Sequence, residues 1–177
     1  MRETDSNKCF GDEKADYDAK HLQEIINKNI EENVKIRPMQ SEDVKLVYEL
    51  SARCFTVPWT ESSLSKELDN HLAYYCVAEH KGNIVGYGGM WMIAGEGEVT
   101  NIAVDKEYRG EGIGQAILNN LMQIGQEKTL LMIHLEVRAG NEVAQKLYKS
   151  AGFEKITVRK GYYQKPTEDA VVMIYQY

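Results

Sequence analysis

The sequence predicts an α/β fold, in the broad sense that includes α+β folds, with a mixed β-sheet flanked by helices. Strand-like and helix-like segments alternate in the order β-α-α-β-β-β-α-β-α-β-β, which is typical of a sheet with helices on its faces. A length of 177 residues, 43% of them hydrophobic, suits one domain with an ordinary core.

The first 33 residues are polar and charged and differ from the rest of the chain. Within them, residues 19–32 have the apolar spacing of a helix, at Leu22, Ile25, Ile26 and Ile30. We therefore expect residues 1–33 to form a partly disordered lead or an accessory helix, and residues 34–177 to form the domain. The sequence leaves open whether this extension docks on the domain or on a partner protein.

The domain begins with a predicted strand over residues 34–39, followed by two helices. Ser41, with Glu42 and Asp43 after it, is typical of a helix start. The helix that it opens carries apolar residues at Val44, Val47, Leu50 and Phe55. Thr60 is the predicted N-cap of a second, short helix.

Three strands follow these helices. Residues 73–80 and 83–93 have strand patterns joined by a tight Lys81-Gly82 turn, which predicts a hairpin. Gly95-Glu96-Gly97 supplies another turn before a strand that ends at Val104.

The second half of the chain predicts two helices and three strands. The helix over residues 112–127 has an apolar stripe at Ile113, Ile117, Leu121 and Ile124. Residues 130–137 are predicted as a buried strand, 141–150 as a helix, and 153–160 and 170–177 as a final pair of strands.

Composition excludes several classes of function. The net charge of −6 gives no electrostatic case for binding nucleic acid or an anionic membrane, and it favours a basic partner. Cys9, Cys54 and Cys76 show no CxxC or His-rich spacing, which indicates reduced thiols, and we interpret Cys54 and Cys76 as core residues. The chain start lacks an apolar signal-peptide region and no apolar run is long enough to span a bilayer, so we expect a cytoplasmic protein.

A glycine-rich loop from Gly110 to Gly114 links the strand that ends at Val104 to the next helix. The unpaired N–H groups and positive dipole end of that helix favour a phosphate, and glycine lets a phosphate approach the backbone. The spacing fits neither common nucleotide motif. Gln115 stands where G-x-G-x-x-G needs its third glycine, and the G-K-[ST] end of a P-loop is missing. A glycine-rich turn without a ligand is the alternative.

The pattern that remains, Arg109-x-x-Gly112-x-Gly114 after an Asn-Ile-Ala-Val strand, is similar to the acetyl-CoA loop of the GNAT acetyltransferases. From about Val34 to its C-terminus, the chain resembles the bacterial ribosomal-protein-alanine N-acetyltransferases of the RimI type within that superfamily. The shared motifs are Pro58-Trp59, Glu136-Val137-Arg138, Asn141, Ala144 to Tyr148, Ala151-Gly152-Phe153, Tyr162-Tyr163 and Asp169 to Met173.

This resemblance implies a mostly antiparallel, twisted GNAT sheet, with acetyl-CoA as co-substrate and no metal. The residues that it assigns to acetyl-CoA are Ile102, Ala103, Val104, Arg109, Gly110, Glu111, Gly112, Ile113, Gly114, Gln115 and Asn141. The backbone of Ile102 and Val104 would pair with the pantetheine amides, and a plain core strand is the alternative. Asn141 would hydrogen-bond the cofactor, and a simple helix N-cap is the alternative. Relatives usually carry a basic residue at the place of Gly110, so we expect weaker pyrophosphate attraction, with Arg109 as the loop's cation.

Two residues are candidates for proton transfer. Glu136 lies in an apolar strand, where an acid is costly without a task, and acetyl transfer needs a base to deprotonate the attacking amine. The resemblance implies that Glu136 is this base and that Tyr148 protonates the departing CoA thiolate. The alternatives are a structural Glu136 paired with Arg138, and an ordinary packed Tyr148. His134 and Glu136 lack a third ligand for a metal.

The resemblance predicts an enzyme that moves acetyl from acetyl-CoA to the N-terminal α-amine of a protein, by direct attack in a ternary complex. The expected acceptor is the N-terminal alanine of a basic small-subunit ribosomal protein, with Trp59 and a Tyr162-Tyr163 turn at the peptide entry. A free α-amine has a pKa of about 7.7–8.0 against about 10.4 for lysine, so it loses its proton more readily. The alternatives are acetylation of lysine or small amines, and a non-catalytic acyl-CoA-sensing module. The oligomeric state stays open, a monomer included.

Overall fold

The structure, a computed structural model, describes residues 33–177, which form a seven-stranded sheet with helices packed on it. The strands are β1 (Val34–Pro38), β2 (Ala73–His80), β3 (Asn83–Ile93), β4 (Glu96–Val104), β5 (Met132–Arg138), β6 (Glu154–Gln164) and β7 (Thr167–Gln176). The helices are α1 (Val44–Cys54), α2 (Glu61–Leu68), α3 (Ile113–Glu127) and α4 (Glu142–Ser150). The helix predicted over residues 19–32 lies outside the described residues.

The strand order across the sheet is β1-β2-β3-β4-β5-β7-β6. Neighbouring strands run antiparallel except β4 and β5, which run parallel, so the prediction of a mixed, mostly antiparallel sheet is confirmed. The parallel pairing begins with Glu96 opposite Met132 and ends with Val99 opposite Leu135. Beyond that point β4 continues beside β3 alone, and β5 continues beside β7 alone.

A β-bulge marks the place where β4 and β5 separate. Val99 pairs with Met90 of β3, whereas Asn101 pairs with Gly89, so Thr100 is an extra residue on β4. A bulge of this kind bends the strand that carries it and increases its twist. The bend therefore turns the second half of β4 away from β5.

Two hydrophobic layers cover the opposite faces of the sheet. The layer beneath α3 includes Ile113, Ile117, Leu118, Leu121, Ile133, Leu135, Val137 and Tyr148. The layer beneath α1 and α2 includes Val47, Leu50, Leu64, Tyr75, Tyr87 and Ala103. Glycine at position 88 lets α3 approach β3 closely, because a Cβ there would lie 2.4 Å from Cγ2 of Ile117. The burial of Ile113, Ile117 and Leu121 confirms the apolar stripe predicted for α3.

Of the first two helices, α2 begins where the sequence predicts and α1 begins later. Thr60 Oγ1 accepts a hydrogen bond from the Ser63 N–H at 3.1 Å, which confirms the predicted N-cap of α2. The first helix begins later than predicted, because Ser41–Asp43 forms a 3₁₀ turn before it. Phe55, predicted on the helix, lies one residue past its end in extended backbone.

Two predicted turns are strand in the structure. Gly97 belongs to β4, and the chain turns one residue earlier than predicted, at Ala94 and Gly95. Tyr162 and Tyr163, predicted in a turn, lie inside β6. The hairpin of β6 and β7 is longer than the sequence pattern indicated, because its exposed strand residues are polar and lack clear alternation.

Arg37 joins β1, β2 and the 3₁₀ turn. Its guanidinium donates to both carboxylate oxygens of Asp43 at 2.6 and 2.9 Å, and to Oε2 of Glu79 at 2.7 Å. Asp43 is 5% exposed and also accepts from the Gln40 N–H at 2.8 Å. The hydrogen bonds from Arg37 hold the pKa of Asp43 below its usual value.

No helix in residues 33–177 is both long and apolar enough to cross a membrane.

Candidate active site

The separation of β4 from β5 leaves an opening in the sheet beyond Val99. On its β4 side, the Asp105 N–H donates to the carbonyl of Val85 in β3 at 2.8 Å. Backbone groups alternate in direction along a strand, so those of Ile102 and Val104 face away from β3 and toward the opening. The edge that the sequence predicts here is open, and its pairing with pantetheine stays a prediction.

Two adjoining cavities meet at this opening. A cavity of about 550 Å³ lies beside the glycine loop and the start of α3. A second cavity, of about 640 Å³, lies beside β5 and the β6–β7 hairpin. Both are lined by Cys54, Phe55, Ile102, Asn141, Ala144 and Tyr148. We call the first the loop-side cavity and the second the hairpin-side cavity.

The glycine loop presents the start of α3 to the loop-side cavity. Gly110 and Gly112 both have φ +84°, a left-handed conformation that favours glycine, and Gly112 is the N-cap of α3. The first helical bond runs from the Ala116 N–H to the Gly112 carbonyl at 3.0 Å. The N–H groups at positions 113 to 115 precede it, so they are available to an anion.

Arg109, which the sequence predicts to bind the pyrophosphate, does not extend its side chain from the glycine loop toward such a group. Its Nε donates to the Val104 carbonyl at 3.0 Å, and its Nη2 lies 3.8 Å from Sγ of Cys54. The side chain thus folds back onto the end of β4. A ligand amide at the Val104 carbonyl would compete with this side chain, and a guanidinium released in this way would be free to bind a phosphate.

Glu136 lies on the hairpin-side wall, on the face of the sheet opposite α3. Leu135 and Val137 are buried in the layer beneath α3, so the alternation along β5 puts Glu136 on the other face. Its side chain is 10% exposed, and Oε1 lies 2.7 Å from Nη1 of Arg159, which is itself 54% exposed. The alternative that the sequence offered, an ion pair between Glu136 and Arg138, is therefore wrong.

Arg138 has a structural role instead. Its Nη1 donates to Glu168 at 2.9 Å and its Nη2 to the Lys165 carbonyl at 3.1 Å. The other Glu168 oxygen accepts from the Gly140 N–H at 2.6 Å. These bonds tie the loop before α4 to the β6–β7 hairpin.

Tyr148 lies between the two cavities and within the layer beneath α3. It is 8% exposed, and its ring packs 5.9 Å from that of Phe153. Burial, with a smaller contribution from Tyr163, raises its pKa to about 12. The phenol therefore keeps its proton throughout the physiological pH range.

Asn141 is the N-cap of α4 in the structure. Its Oδ1 accepts from the Ala144 N–H at 3.2 Å. The cap uses the oxygen and leaves the N–H donors of the amide for another partner. The N-cap role that the sequence offered as an alternative is therefore present, and it is compatible with a bond to a cofactor.

Aromatic side chains line the outer part of the hairpin-side cavity. Trp59 packs against Trp91 and Tyr75, with ring centroids 5.9 and 6.3 Å away. Tyr162 and Tyr163 meet edge to face at 5.2 Å, and the Tyr163 hydroxyl donates to the Glu136 carbonyl at 3.3 Å. Aromatic rings that pack against one another thus form part of the entry to Glu136.

The two described cysteines differ from each other. Cys76 is fully buried, and burial raises the pKa of its thiol to about 12, so the prediction of a core residue is confirmed. Cys54 is half-buried: it packs against the layer beneath α1 and α2 and also lines both cavities, so the same prediction holds only in part for Cys54. Its position just past the buried face of α1 is the physical reason. Among residues 33–177, no cluster of three His, Cys, Asp or Glu side chains is arranged to hold a metal.

Two residues at the site escaped the sequence reasoning. Arg159 was missed because it reaches Glu136 across β7, and strand pairing order cannot be read from local spacing. The sequence pattern assigns Asn101 to a strand and gives its side chain no role. The bulge at Thr100, which the local pattern does not signal, determines the face on which the Asn101 side chain lies.

An opening between two parallel strands, with a glycine loop at a helix start on one side and a carboxylate on the other, is the arrangement of a GNAT-type acyltransferase. The chain belongs to this family, because the model described as "Acetyltransferase (GNAT) family" matches residues 44–153. The acyl donor used in this family is acetyl-CoA.

Relatives with curated names cover most of the chain. A Bacillus subtilis protein, named as a candidate [ribosomal protein bS18]-alanine N-acetyltransferase, is 40% identical over 78% of this chain and 92% of its own. The Escherichia coli [ribosomal protein bS18]-alanine N-acetyltransferase is 30% identical over 78% of this chain and 94% of its own. The Mycobacterium tuberculosis N-alpha-acetyltransferase RimI is 33% identical over 80% and 92%.

Solved structures agree with the fold. The ribosomal-protein-S18-alanine N-acetyltransferase from Escherichia coli has a TM-score of 0.75 at 28% identity, covering 81% of this chain and 93% of its own. An N-acetyltransferase from Thermoplasma acidophilum, solved in complex with coenzyme A, has a TM-score of 0.68 at 19% identity, covering 81% and 99%. The second likeness concerns the fold alone.

Proposed function

We propose that this enzyme transfers acetyl from acetyl-CoA to the N-terminal α-amine of a protein in the cytoplasm, with the N-terminal alanine of a small-subunit ribosomal protein as acceptor. The observation that carries the proposal is the meeting of the two cavities at the β4–β5 opening, with Glu136 on one side and the anion-binding loop on the other. The names of the bacterial relatives, as ribosomal-protein-alanine N-acetyltransferases, support the choice of acceptor.

The loop-side cavity supplies the donor site. The N–H groups at positions 113 to 115 would bind the pyrophosphate, and the open edge at Ile102 and Val104 would pair with the pantetheine amides. Ala103 lines the cavity between Ile102 and Val104, Glu111 precedes the N-cap Gly112, and Asn141 would add its free amide donors. This arrangement brings the thioester to the end of the loop-side cavity that opens onto Glu136.

The reaction then needs no covalent enzyme intermediate. The amine nitrogen attacks the thioester carbonyl carbon, and the C–S bond breaks as the tetrahedral intermediate collapses. Glu136 takes the proton that the amine loses, directly or through a water. Tyr148 donates to the departing sulfur. Because its pKa of about 12 exceeds the value of about 8.5 for a thiol, full proton transfer is uphill, and a hydrogen bond to the developing thiolate is its main contribution.

The site suits an α-amine better than a lysine. A free α-amine has a pKa of about 7.7–8.0, so an appreciable fraction is already deprotonated near neutral pH. One carboxylate then suffices as the base. A net charge of −6 also favours the approach of a basic protein tail rather than nucleic acid or an anionic membrane.

Peptide substrates test this proposal directly. The purified enzyme is incubated with acetyl-CoA and either an Ala-starting peptide or an N-terminally blocked peptide with an internal lysine. We expect acetyl on the α-amine of the first peptide, located by fragment mass spectrometry, and little product from the second. Lysine acetylation, or cofactor binding without turnover of either peptide, would contradict the proposal.

A further inference from the structure

Asn101 has an unusual environment at the β4–β5 opening. It follows the bulge at Thr100 and pairs with Gly89, whose missing side chain leaves room for the Tyr75 ring. Thr100 Oγ1 lies 3.1 Å from the Tyr75 hydroxyl. Thr100 and Asn101 therefore both direct their side chains to the face of the sheet opposite α3.

The side-chain oxygen of Asn101 is buried and has no hydrogen-bond partner. Among the hydrogen bonds within residues 33–177, none involves the Asn101 amide, whereas the neighbouring Thr100 hydroxyl is bonded. Leaving a buried acceptor unpaired destabilises a fold, so this amide, which lies on the wall of the hairpin-side cavity, calls for a partner. Because neither end of the amide is fixed, a half-turn about its Cβ–Cγ bond can bring the oxygen to the cavity.

Asn101 and Glu136 line the same cavity from opposite strands. Val99 and Leu135 are the last paired residues, and Asn101 and Glu136 follow them on the two diverging strands. Both side chains lie on the face opposite α3. A group that reaches Glu136 to give up a proton therefore also comes next to the Asn101 amide, whose oxygen meets that group once the amide has turned.

We propose that Asn101 binds the acceptor amine, its side-chain oxygen accepting a hydrogen bond from one amine N–H while Glu136 receives the proton of another. The inference rests on the proposed acetyl transfer to an α-amine. With two N–H groups held in this way, the nitrogen lone pair is directed at the thioester carbon. A neutral amide suits this task better than a second carboxylate, which would stabilise the ammonium form that cannot attack.

Two substitutions of similar size test this role. Asn101→Leu removes the acceptor, and Asn101→Asp keeps two acceptor oxygens but no N–H donor. We expect Asn101→Leu to lower kcat/KM for the Ala-starting peptide by about 10- to 100-fold, the value of a hydrogen bond to a charged group, because positive charge develops on the nitrogen as it attacks. At about pH 9, where the α-amine is largely deprotonated, Asn101→Asp should retain much more of it. Acetyl-CoA affinity, measured by calorimetry, should stay the same in both.

Thermal unfolding separates this role from a structural one. Because Leu leaves no unpaired polar atom, Asn101→Leu should unfold at the same temperature as wild type or higher, while it loses peptide turnover. If this variant fails to fold, Asn101→Ala takes its place, since it removes atoms without adding any. A peptide whose N-terminal alanine is replaced by propionyl lacks only the α-amine. Its affinity as a competitive inhibitor is measured for the wild type and for the variant, in a double-mutant cycle. The gap in affinity between amine and propionyl peptides should narrow in the Leu or Ala variant.

Several outcomes would overturn the inference. Unchanged peptide kcat/KM in Asn101→Leu would do so while leaving α-amine acetylation by the wild type intact. An equal loss in Asn101→Asp and Asn101→Leu at about pH 9 would show that the N–H, and not the oxygen, meets the substrate. A wild-type enzyme that acetylates no α-amine would remove both the inference and the proposed function.

Discussion

At the scale of single residues, the site depends on how firmly the Glu136 carboxylate is held. Arg159 is more than half exposed, so its ion pair with Glu136 is screened by water and worth about 0.2–1 kcal/mol. A contact this weak orients the carboxylate without sequestering it. An arriving amine can therefore displace Arg159 at little cost.

Removal of the base should stop the chemistry without affecting the donor site. Glu136→Gln keeps the size of the side chain but cannot accept a proton at neutral pH, so we expect kcat to fall by about 100-fold or more. Acetyl-CoA affinity, measured by calorimetry, should stay within twofold of wild type. Unchanged turnover would remove Glu136 from the mechanism.

Loss of the orienting partner should have a smaller effect. Arg159→Met keeps the aliphatic stem and removes the ion pair, so we expect kcat to fall by about fivefold, which corresponds to about 1 kcal/mol. Lys160→Met is the matched control, because Lys160 is the next residue on β6 and pairs with Asp169 instead. Equal effects of the two substitutions would mean that the Glu136–Arg159 pair has no catalytic role.

Tyr148 should assist the departure of the CoA thiolate and should not shape the pH dependence of kcat. With a pKa of about 12, raised by burial, it stays protonated below about pH 10, so wild-type kcat should not fall through its ionisation up to that pH. Tyr148→Phe retains the packing against Phe153, and we expect kcat to fall by about 10- to 100-fold. Stopped-time assays of both enzymes between pH 6 and 10 measure the pH dependence of kcat and its loss in Tyr148→Phe. A rate as high as wild type at every pH would rule out the donor role.

At the scale of elements, the connection from β4 through the glycine loop to α3 builds the donor site. Two of its glycines differ in their physical roles. Gly112 has φ +84°, so any side chain there strains the backbone, whereas a Cβ on Gly114 would meet Leu147 and Val104 at ordinary distances of 3.6 and 3.8 Å.

This difference predicts different outcomes for two alanine substitutions. Gly112→Ala should lower the free energy of unfolding by about 1–2 kcal/mol, because alanine is unfavourable in the left-handed region. Gly114→Ala should leave stability unchanged or slightly higher, since alanine is the better helix former. Urea titration measures both, and the Kd for acetyl-CoA then reports on the loop itself. A stable Gly112→Ala variant would contradict the strain argument.

The sequence predicts the elements better than their contacts. The hairpin of β2 and β3, the cap at Thr60 and the helix start after Gly112 follow from local chemistry, and the structure agrees. The partner of Glu136 does not follow, because Arg138 is nearer in sequence and Arg159 is nearer in space. Long-range strand order, the bulge at Thr100 and the folded-back Arg109 likewise depend on tertiary packing.

At the scale of the whole molecule, stability depends partly on an ion cluster far from the site. Arg37 connects Asp43 and Glu79 at one end of the sheet, where Asp43 is almost fully buried. The cluster holds the first strand and the start of α1 together. The site residues lie on other strands, so stability and catalysis can be perturbed separately.

The cluster predicts an acid-dependent loss of stability. Because Arg37 lowers the pKa of folded Asp43, the contribution of this group is fully present above the unfolded value of about 3.9 and is lost as pH falls through the folded pKa. Asp43→Asn should cost about 2–3 kcal/mol at pH 7 and less at acidic pH. Urea unfolding at several pH values measures this, and a pH-independent difference would contradict it.

The central claim is that the opening between β4 and β5 brings the thioester and the α-amine together. A crystal structure with CoA joined through an acetyl bridge to the α-amine of an Ala-starting peptide tests it most directly. The account predicts phosphates at the N–H groups of residues 113–115, pantetheine along the edge at Ile102 and Val104, and the bridged nitrogen beside Glu136. Phosphates bound elsewhere, or a peptide that enters away from the hairpin-side cavity, would contradict it.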